Sequence, residues 1–185
     1  MTHKAALVIG TSRNDGNTWK MLRAANENLA LPIFDLAILR ISYFDYNSEN
    51  LTDDFIPTIE KLLTFDSIGL ISPIYWYSVS AQMKTFIDRF SDLLGPRKDL
   101  GRQLRGKRVF LMSTGYSEEK YAECINQMVQ LTSDYLGMKY EGFHYCRVPE
   151  DLIIADNVLK EARIFLESKV EHNKKMVADR QGART

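Results

Sequence analysis

Ala5-Ala6-Leu7-Val8-Ile9-Gly10, followed by Thr11-Ser12-Arg13-Asn14-Asp15-Gly16-Asn17-Thr18, is the stretch that decides the fold. A short apolar run ending at a glycine is the pattern of a strand buried on both faces. The polar turn after it leads into a helix running to about Asn28, which Asn17 or Thr18 can cap, with Met21, Leu22, Ala25 and Leu29 as its inner stripe. A doubly buried strand needs cover above and below, so further strand–helix pairs are required along the chain.

They recur. Phe34 to Ile41 reads as a second strand and Thr52 to Leu63 as a short helix, whose Pro57 suits only the first turn. Asp66 to Ser72 is a third strand, and Val79, Met83, Phe86, Ile87, Phe90 and Leu94 then follow helical spacing. Lys107 to Ser113 is a fourth strand and Glu118 to Tyr135 a fourth helix. Gly137 opens a fifth strand to about Val148, and Asn157 to about Val177 is a closing helix with a polar end. Strands alternating with helices imply an α/β fold: βαβ units with right-handed crossovers, and a parallel sheet with helices on both faces. No repeat, low-complexity segment or linker divides the chain, so residues 1–185 are expected to form a single domain.

Composition narrows the function classes. Of 185 residues, 45% are hydrophobic, 26% charged and 11% aromatic, the balance of a globular protein and not of a disordered one. Lys plus Arg equals Asp plus Glu at 24 each, so no general field draws in nucleic acid or an anionic membrane. Cys124 and Cys146 have no C-x-x-C spacing and cannot by themselves hold zinc or an iron–sulfur cluster. They read as reduced thiols. Ala5 to Ile9 is too short for a signal-peptide core, and Ile68 to Val79, interrupted by Pro73, is too short to span a membrane. The expected location is cytoplasmic.

In such sheets ligands bind beyond the carboxyl ends of the strands, where strand order reverses. Three loops there carry chemistry. The turn from Gly10 to Thr18 supplies hydroxyls, Arg13 and a helix N-terminus, the donors a phosphate needs, although a capped turn has the same composition. It is neither a Walker loop nor G-x-G-x-x-G. Ser72-Pro73-Ile74-Tyr75-Trp76-Tyr77-Ser78 places three aromatics at the mouth of the sheet, a wall for a planar ring or a contact for another protein. Ser113-Thr114-Gly115-Tyr116-Ser117 lets backbone amides approach a ligand's polar edge, or simply starts a helix with Ser117 as cap. Together, a phosphate cradle, an aromatic wall and an amide-rich edge match a phosphorylated planar ring such as flavin mononucleotide (FMN).

The turn from Gly10 to Thr18 is similar to the first phosphate loop of the flavodoxin-like NADPH-dependent FMN reductases, a group that also holds multimeric flavodoxins and many quinone reductases. The run from Pro73 to Arg89 resembles that family's isoalloxazine loop and following helix almost position by position, and Gly106-Lys107 and Ser113-Thr114-Gly115 also fit. The resemblance covers roughly residues 4 to 145. It implies a flavodoxin-like, doubly wound five-stranded parallel sheet of order 2-1-3-4-5, non-covalent FMN, and a homodimer or homotetramer. It puts Ser12, Arg13, Asn17 and Thr18 on the phosphate, Pro73, Ile74, Tyr75 and Trp76 beside the ring, and Thr114, Gly115 and Tyr116 near its pyrimidine edge. Tyr116 stands where many relatives have a second glycine, and the cysteine cluster of the iron–sulfur branch is absent.

Other residues read more plainly. His3, His144 and His172 are scattered and structural or superficial. Lys84, Asp88 and Arg89 are expected on the outer or interfacial side of their helix and not in the chemistry. The basic stretch from Arg97 to Arg108 reads as a solvated loop at the end of the sheet away from the site, although a second subunit could bring it to the 2′-phosphate of NADPH. Tyr43 to Asp54 is a candidate rim or dimer loop. The implied activity is hydride transfer from NADPH or NADH via FMN to a small-molecule acceptor: a quinone, nitro or azo compound, metal ion or flavin. The chemistry would rest on the cofactor, so no side chain is assigned as catalytic. The alternative is a flavodoxin-type electron carrier with protein partners, but such carriers are typically strongly acidic. A response-regulator receiver is excluded, because Ser72-Pro73 and Gly10-Thr11 stand where it needs acids.

Overall fold

A computed structural model describes residues 4–149 and 153–182, with side chains as far as residue 170. The elements in chain order begin with β1 (Ala5–Ile9), α1 (Asn17–Asn26), β2 (Ile33–Asp35), α2 (Phe55–Leu62), β3 (Ser67–Tyr75) and β4 (Ser78–Val79). They continue with α3 (Ala81–Asp88), α4 (Lys98–Gly101), β5 (Arg108–Gly115), α5 (Glu123–Tyr135), β6 (Lys139–Arg147) and α6 (Asp156–Gly182). The sheet order is β2-β1-β3-β5-β6, all parallel, and β4 folds back antiparallel on β3. Counting only the parallel strands, this is the expected 2-1-3-4-5 arrangement.

Each face of the sheet has its own core. Ala6, Val8, Leu70 and Leu111 pack with Phe55, Ile59, Phe86 and Val129 from α2, α3 and α5. On the other face Leu7, Ile9, Phe110 and Met112 meet Met21, Leu22 and Ala25 of α1 and Ala162 and Leu166 of α6. All of β1 is buried, which explains its uninterrupted apolar run.

Several boundaries differ from the sequence reading, each for a local reason. β2 stops at Asp35, not Ile41, because the Asp35 carboxylate accepts the Ala37 N–H and turns the chain. β3 runs three residues past Ser72. Its pairing with β1 ends at Ile71, so Pro73 lies where one side of the strand needs no N–H donor. The helix read through Leu94 ends at Asp88 and continues as a 3₁₀ segment, Arg89–Leu93. Residues Glu119–Ala122 likewise form a 3₁₀ turn before α5. Neither Asn17 nor Thr18 caps α1: Gly16 occupies the cap position, with no side-chain bond.

Arg89 is not on the outer side of its helix. It is fully buried, donating to Asp53 Oδ2 at 2.5 Å, Asp92 Oδ2 at 2.6 Å and the carbonyls of Ser42 and Asn50 at 2.9 and 3.2 Å. Its guanidinium carbon lies 4.7 Å from the centre of the Phe55 ring, and two carboxylates compensate its charge. Lys84 and Asp88 do pair on the exposed surface. The basic stretch is less free than its composition suggests. Arg97 pairs with Glu60 and Asp99, Lys107 donates to the carbonyls of Leu63 and Phe65, and Arg108 pairs with Glu141. His144 is partly buried against Phe165, while His3 lies outside the described residues and His172 outside the described side chains. Among the described residues no helix is long and apolar enough to cross a membrane.

Candidate functional site

The chain reverses direction across the sheet between β1 and β3, so the loops after these strands flank the crevice where such folds bind ligands. Buried hydroxyls lock these loops together. Ser80 Oγ donates to the Gly10 carbonyl at 2.7 Å and accepts the Met83 N–H, capping α3. The Ser80 N–H donates to Ser72 Oγ at 2.9 Å, and Ser113 Oγ donates to the Ser72 carbonyl at 2.7 Å. Ser72, Ser80 and Ser113 are fully buried, so this chain ties the ends of β1, β3 and β5 without water. At Gly10 a Cβ would stand 2.8 Å from the Met83 backbone nitrogen, so only glycine lets the start of α3 press on the first loop.

Beyond the serines, β3 and β4 form a two-residue hairpin in which Tyr75 pairs with Ser78 across Trp76-Tyr77. Both turn residues have positive φ, +49° and +61°, as a type I′ turn requires. Asn or Gly usually occupies such positions; bulky aromatics there are strained. The Cys124 thiol donates to the Tyr77 carbonyl at 2.7 Å, and the Tyr77 ring lies 6.2 Å from that of Tyr121. Trp76 projects into solvent, 94% exposed.

A cleft of about 430 Å³ opens between this hairpin and the segment after β5. Ile74, Trp76 and Tyr77 form one wall; Gly115, Tyr116 and Ser117 form the other, completed by Tyr121, Ala122 and Tyr145. That volume falls in the range of small-molecule sites, and five aromatic side chains beside a row of backbone amides suit a flat ring with a polar edge.

Four of the residues expected at the site, Ile74, Trp76, Gly115 and Tyr116, line the cleft. Pro73 is buried beneath it and Tyr75 is half-exposed on the hairpin arm, outside the lining. Ser12, Arg13 and Asn17 lie on the first loop, outside the cleft lining; Ser12 and Arg13 are exposed, and Thr11 Oγ1 accepts the Arg13 N–H at 3.1 Å. Thr18 and Thr114 are both buried, with their hydroxyl oxygens 2.7 Å apart. That bond joins the first turn of α1 to the residue before Gly115, so the first loop adjoins the cleft. Ser117 does not cap α5; its carbonyl accepts the Tyr145 hydroxyl at 2.7 Å.

The sequence reading missed Tyr121, Ala122 and Tyr145. The first two follow the third loop by one turn. Tyr145 has no local signal: only the β5–β6 register, with Ser113 opposite Tyr145, brings it here. The Tyr43–Asp54 segment, tied down by Arg89, contributes nothing to the lining, although Tyr43 and Tyr46 are exposed. Among the described residues, no three His, Cys, Asp or Glu side chains gather as a metal site.

Comparison with known proteins gives the family. A family model described as NADPH-dependent FMN reductase matches residues 3–144. A protein of Bacillus subtilis (strain 168) named as an NAD(P)H-dependent FMN-containing oxidoreductase, YwqN, is 28% identical over 151 residues, covering 76% of this chain and 82% of that one. An iron–sulfur flavoprotein of Archaeoglobus fulgidus is 33% identical over 128 residues, 63% of this chain and 58% of its own. Among solved structures, the Trp repressor binding protein of Bacillus subtilis superposes with a TM-score of 0.69 at 24% identity, over 86% of this chain and 95% of that chain.

Proposed function

The chain belongs to the NADPH-dependent FMN reductase family, and from that premise we propose that it holds FMN across the first loop and the cleft and uses it to pass electrons from NADPH or NADH to a small-molecule acceptor. The acceptor class is a quinone, a nitro or azo compound, a metal ion or a free flavin. The observation that carries this reading is the Thr18–Thr114 bond, which sets a helix N-terminus and Arg13 next to an aromatic cleft. One end suits a phosphate and the other a flat ring.

FMN, when bound, supplies reversible hydride chemistry that no side chain here provides. The residues bind and orient. Ser12, Arg13 and the free N–H groups opening α1 take the phosphate, with Asn17 in the same turn. Thr18 and Thr114 brace that loop from below. Ile74 and Trp76 flank the ring over buried Pro73, with Tyr75 on the outer arm. The amides around Gly115 and Tyr116 would meet its polar edge. A homodimer or homotetramer belongs to the same reading: exposed Leu94, Leu131 and Tyr135 surround an apolar groove between the α3 end and α5.

The test uses the purified protein titrated with FMN and with riboflavin. Arg13→Ala removes a charge-assisted bond of about 1.5–3 kcal/mol, so FMN should weaken by roughly ten- to a hundredfold while riboflavin changes little. Anaerobic NADPH or NADH should bleach the bound flavin within seconds, and a quinone should restore it. Failure of both nucleotides at millimolar concentration over minutes would replace the reductase by an electron carrier. Absence of FMN binding would end the reading.

A further inference from the structure

We propose that Tyr145, acting with Arg147, is a positioning residue that fixes the loop facing the polar edge of the bound ring. This inference rests on the flavin reading above.

Residues 145 and 147 lie two apart on β6 and so project from the same face of the edge strand. The Tyr145 hydroxyl donates to the Ser117 carbonyl at 2.7 Å, and Arg147 Nε donates to the Tyr116 carbonyl at 3.3 Å. One residue beyond the strand, the Val148 N–H donates to the Gly115 carbonyl at 2.8 Å. Three successive carbonyls of the loop are therefore held from one strand end. In a planar trans peptide the C=O and the following N–H point in opposite directions. Fastening these carbonyls turns the N–H groups of Tyr116, Ser117 and Glu118 away from their anchors. Gly115 belongs to the same device, since a Cβ there would sit 2.8 Å from the Tyr145 hydroxyl. The Tyr145 ring meanwhile forms part of the cleft lining, so anchor and wall are one side chain. Burial raises the phenol above its ordinary range, with Arg147 acting against it, so like any phenol it is protonated and able to donate at neutral pH.

Tyr145→Phe keeps the wall and removes the anchor. Dissociation constants for FMN and riboflavin, measured by flavin fluorescence, should both rise by about fivefold and by the same factor, because the loop serves the ring and not the phosphate. The visible absorption of bound flavin should move toward that of free flavin. Arg147→Gln, at an exposed position, should move both readouts in the same direction by less, and decides the matter if the phenylalanine variant does not fold. Unchanged affinity and spectrum, with or without a lower melting temperature of the apoprotein, would overturn the inference, since the phenol would then serve the fold alone. A parent protein that takes up neither flavin refutes the flavin reading and this inference with it; a parent that binds while both variants bind equally well refutes this inference only.

Discussion

Replacing Trp76 by asparagine should make the protein more stable and less able to hold its ligand. Trp76 sits at φ +49° in the two-residue turn between β3 and β4. A side chain with a Cβ costs roughly 1–2 kcal/mol in this region, and asparagine recovers part of that by bonding its own backbone. Almost nothing offsets the gain, because the indole is 94% exposed and buries little surface in the free protein. A net gain of about 0.5–1 kcal/mol corresponds to a rise of roughly 1–4 °C in melting temperature for a domain of this size. Tyr77→Gly at φ +61° is the internal control. It relieves similar strain but gives up the contact with Tyr121, worth about 0.5–1.5 kcal/mol, so its net change should be near zero. Differential scanning calorimetry of the apoprotein measures both, and flavin titration of the same samples measures the loss of the aromatic wall. A melting temperature for Trp76→Asn equal to or below that of the parent would refute the strain argument. Retained flavin affinity would remove Trp76 from the site.

Two further outcomes follow from buried charge and burial. Arg89→Met leaves the fully buried Asp92 without its partner, and breaking a buried pair on one side costs about 3–5 kcal/mol; a denaturant midpoint unchanged from the parent would show that the ring of contacts to Asp53, Asp92, Ser42 and Asn50 carries no stability. Burial holds His144 below its ordinary pKa, although Glu161 and Glu119 pull the other way, so the unfolded chain takes up this proton first. The resulting stability is complete above about pH 6.5, the unfolded value, and is lost as pH falls below it toward the lower folded value. Thermal melts at successive pH values should show that slope in the parent and a flatter one in His144→Gln, and parallel slopes would acquit the histidine.

What was legible in the sequence was whatever depends on near neighbours. The apolar run of β1, the polar turn after it and the stripe of α1 are all local patterns, and they were enough to give the sheet and the end of it that carries the cleft. Tyr145 was illegible because its place depends on the register of β6 against β5, which no spacing along the chain encodes. Arg89 was misplaced because helical periodicity was extended past Asp88, while the carboxylate that draws it inward comes from Asp53, on a loop before α2. The hairpin at Trp76-Tyr77 was missed because its turn lacks the Asn or Gly by which such turns are recognised. Strain hides a turn from sequence reading, and here it falls at the mouth of the cleft.

The buried serines set limits on redesign. Ser72, Ser80 and Ser113 join the roots of three loops through hydrogen bonds that no solvent can replace. A change at any root would be transmitted to the other two, so loop grafting at these points should give misassembled sites and not new specificities. Trp76, Tyr116 and Tyr121 stand outside that knot and are exposed. Tyr121, which holds no part of the flavin in this reading, is the position where a library aimed at a different electron acceptor can vary the side chain while the chassis beneath keeps its shape.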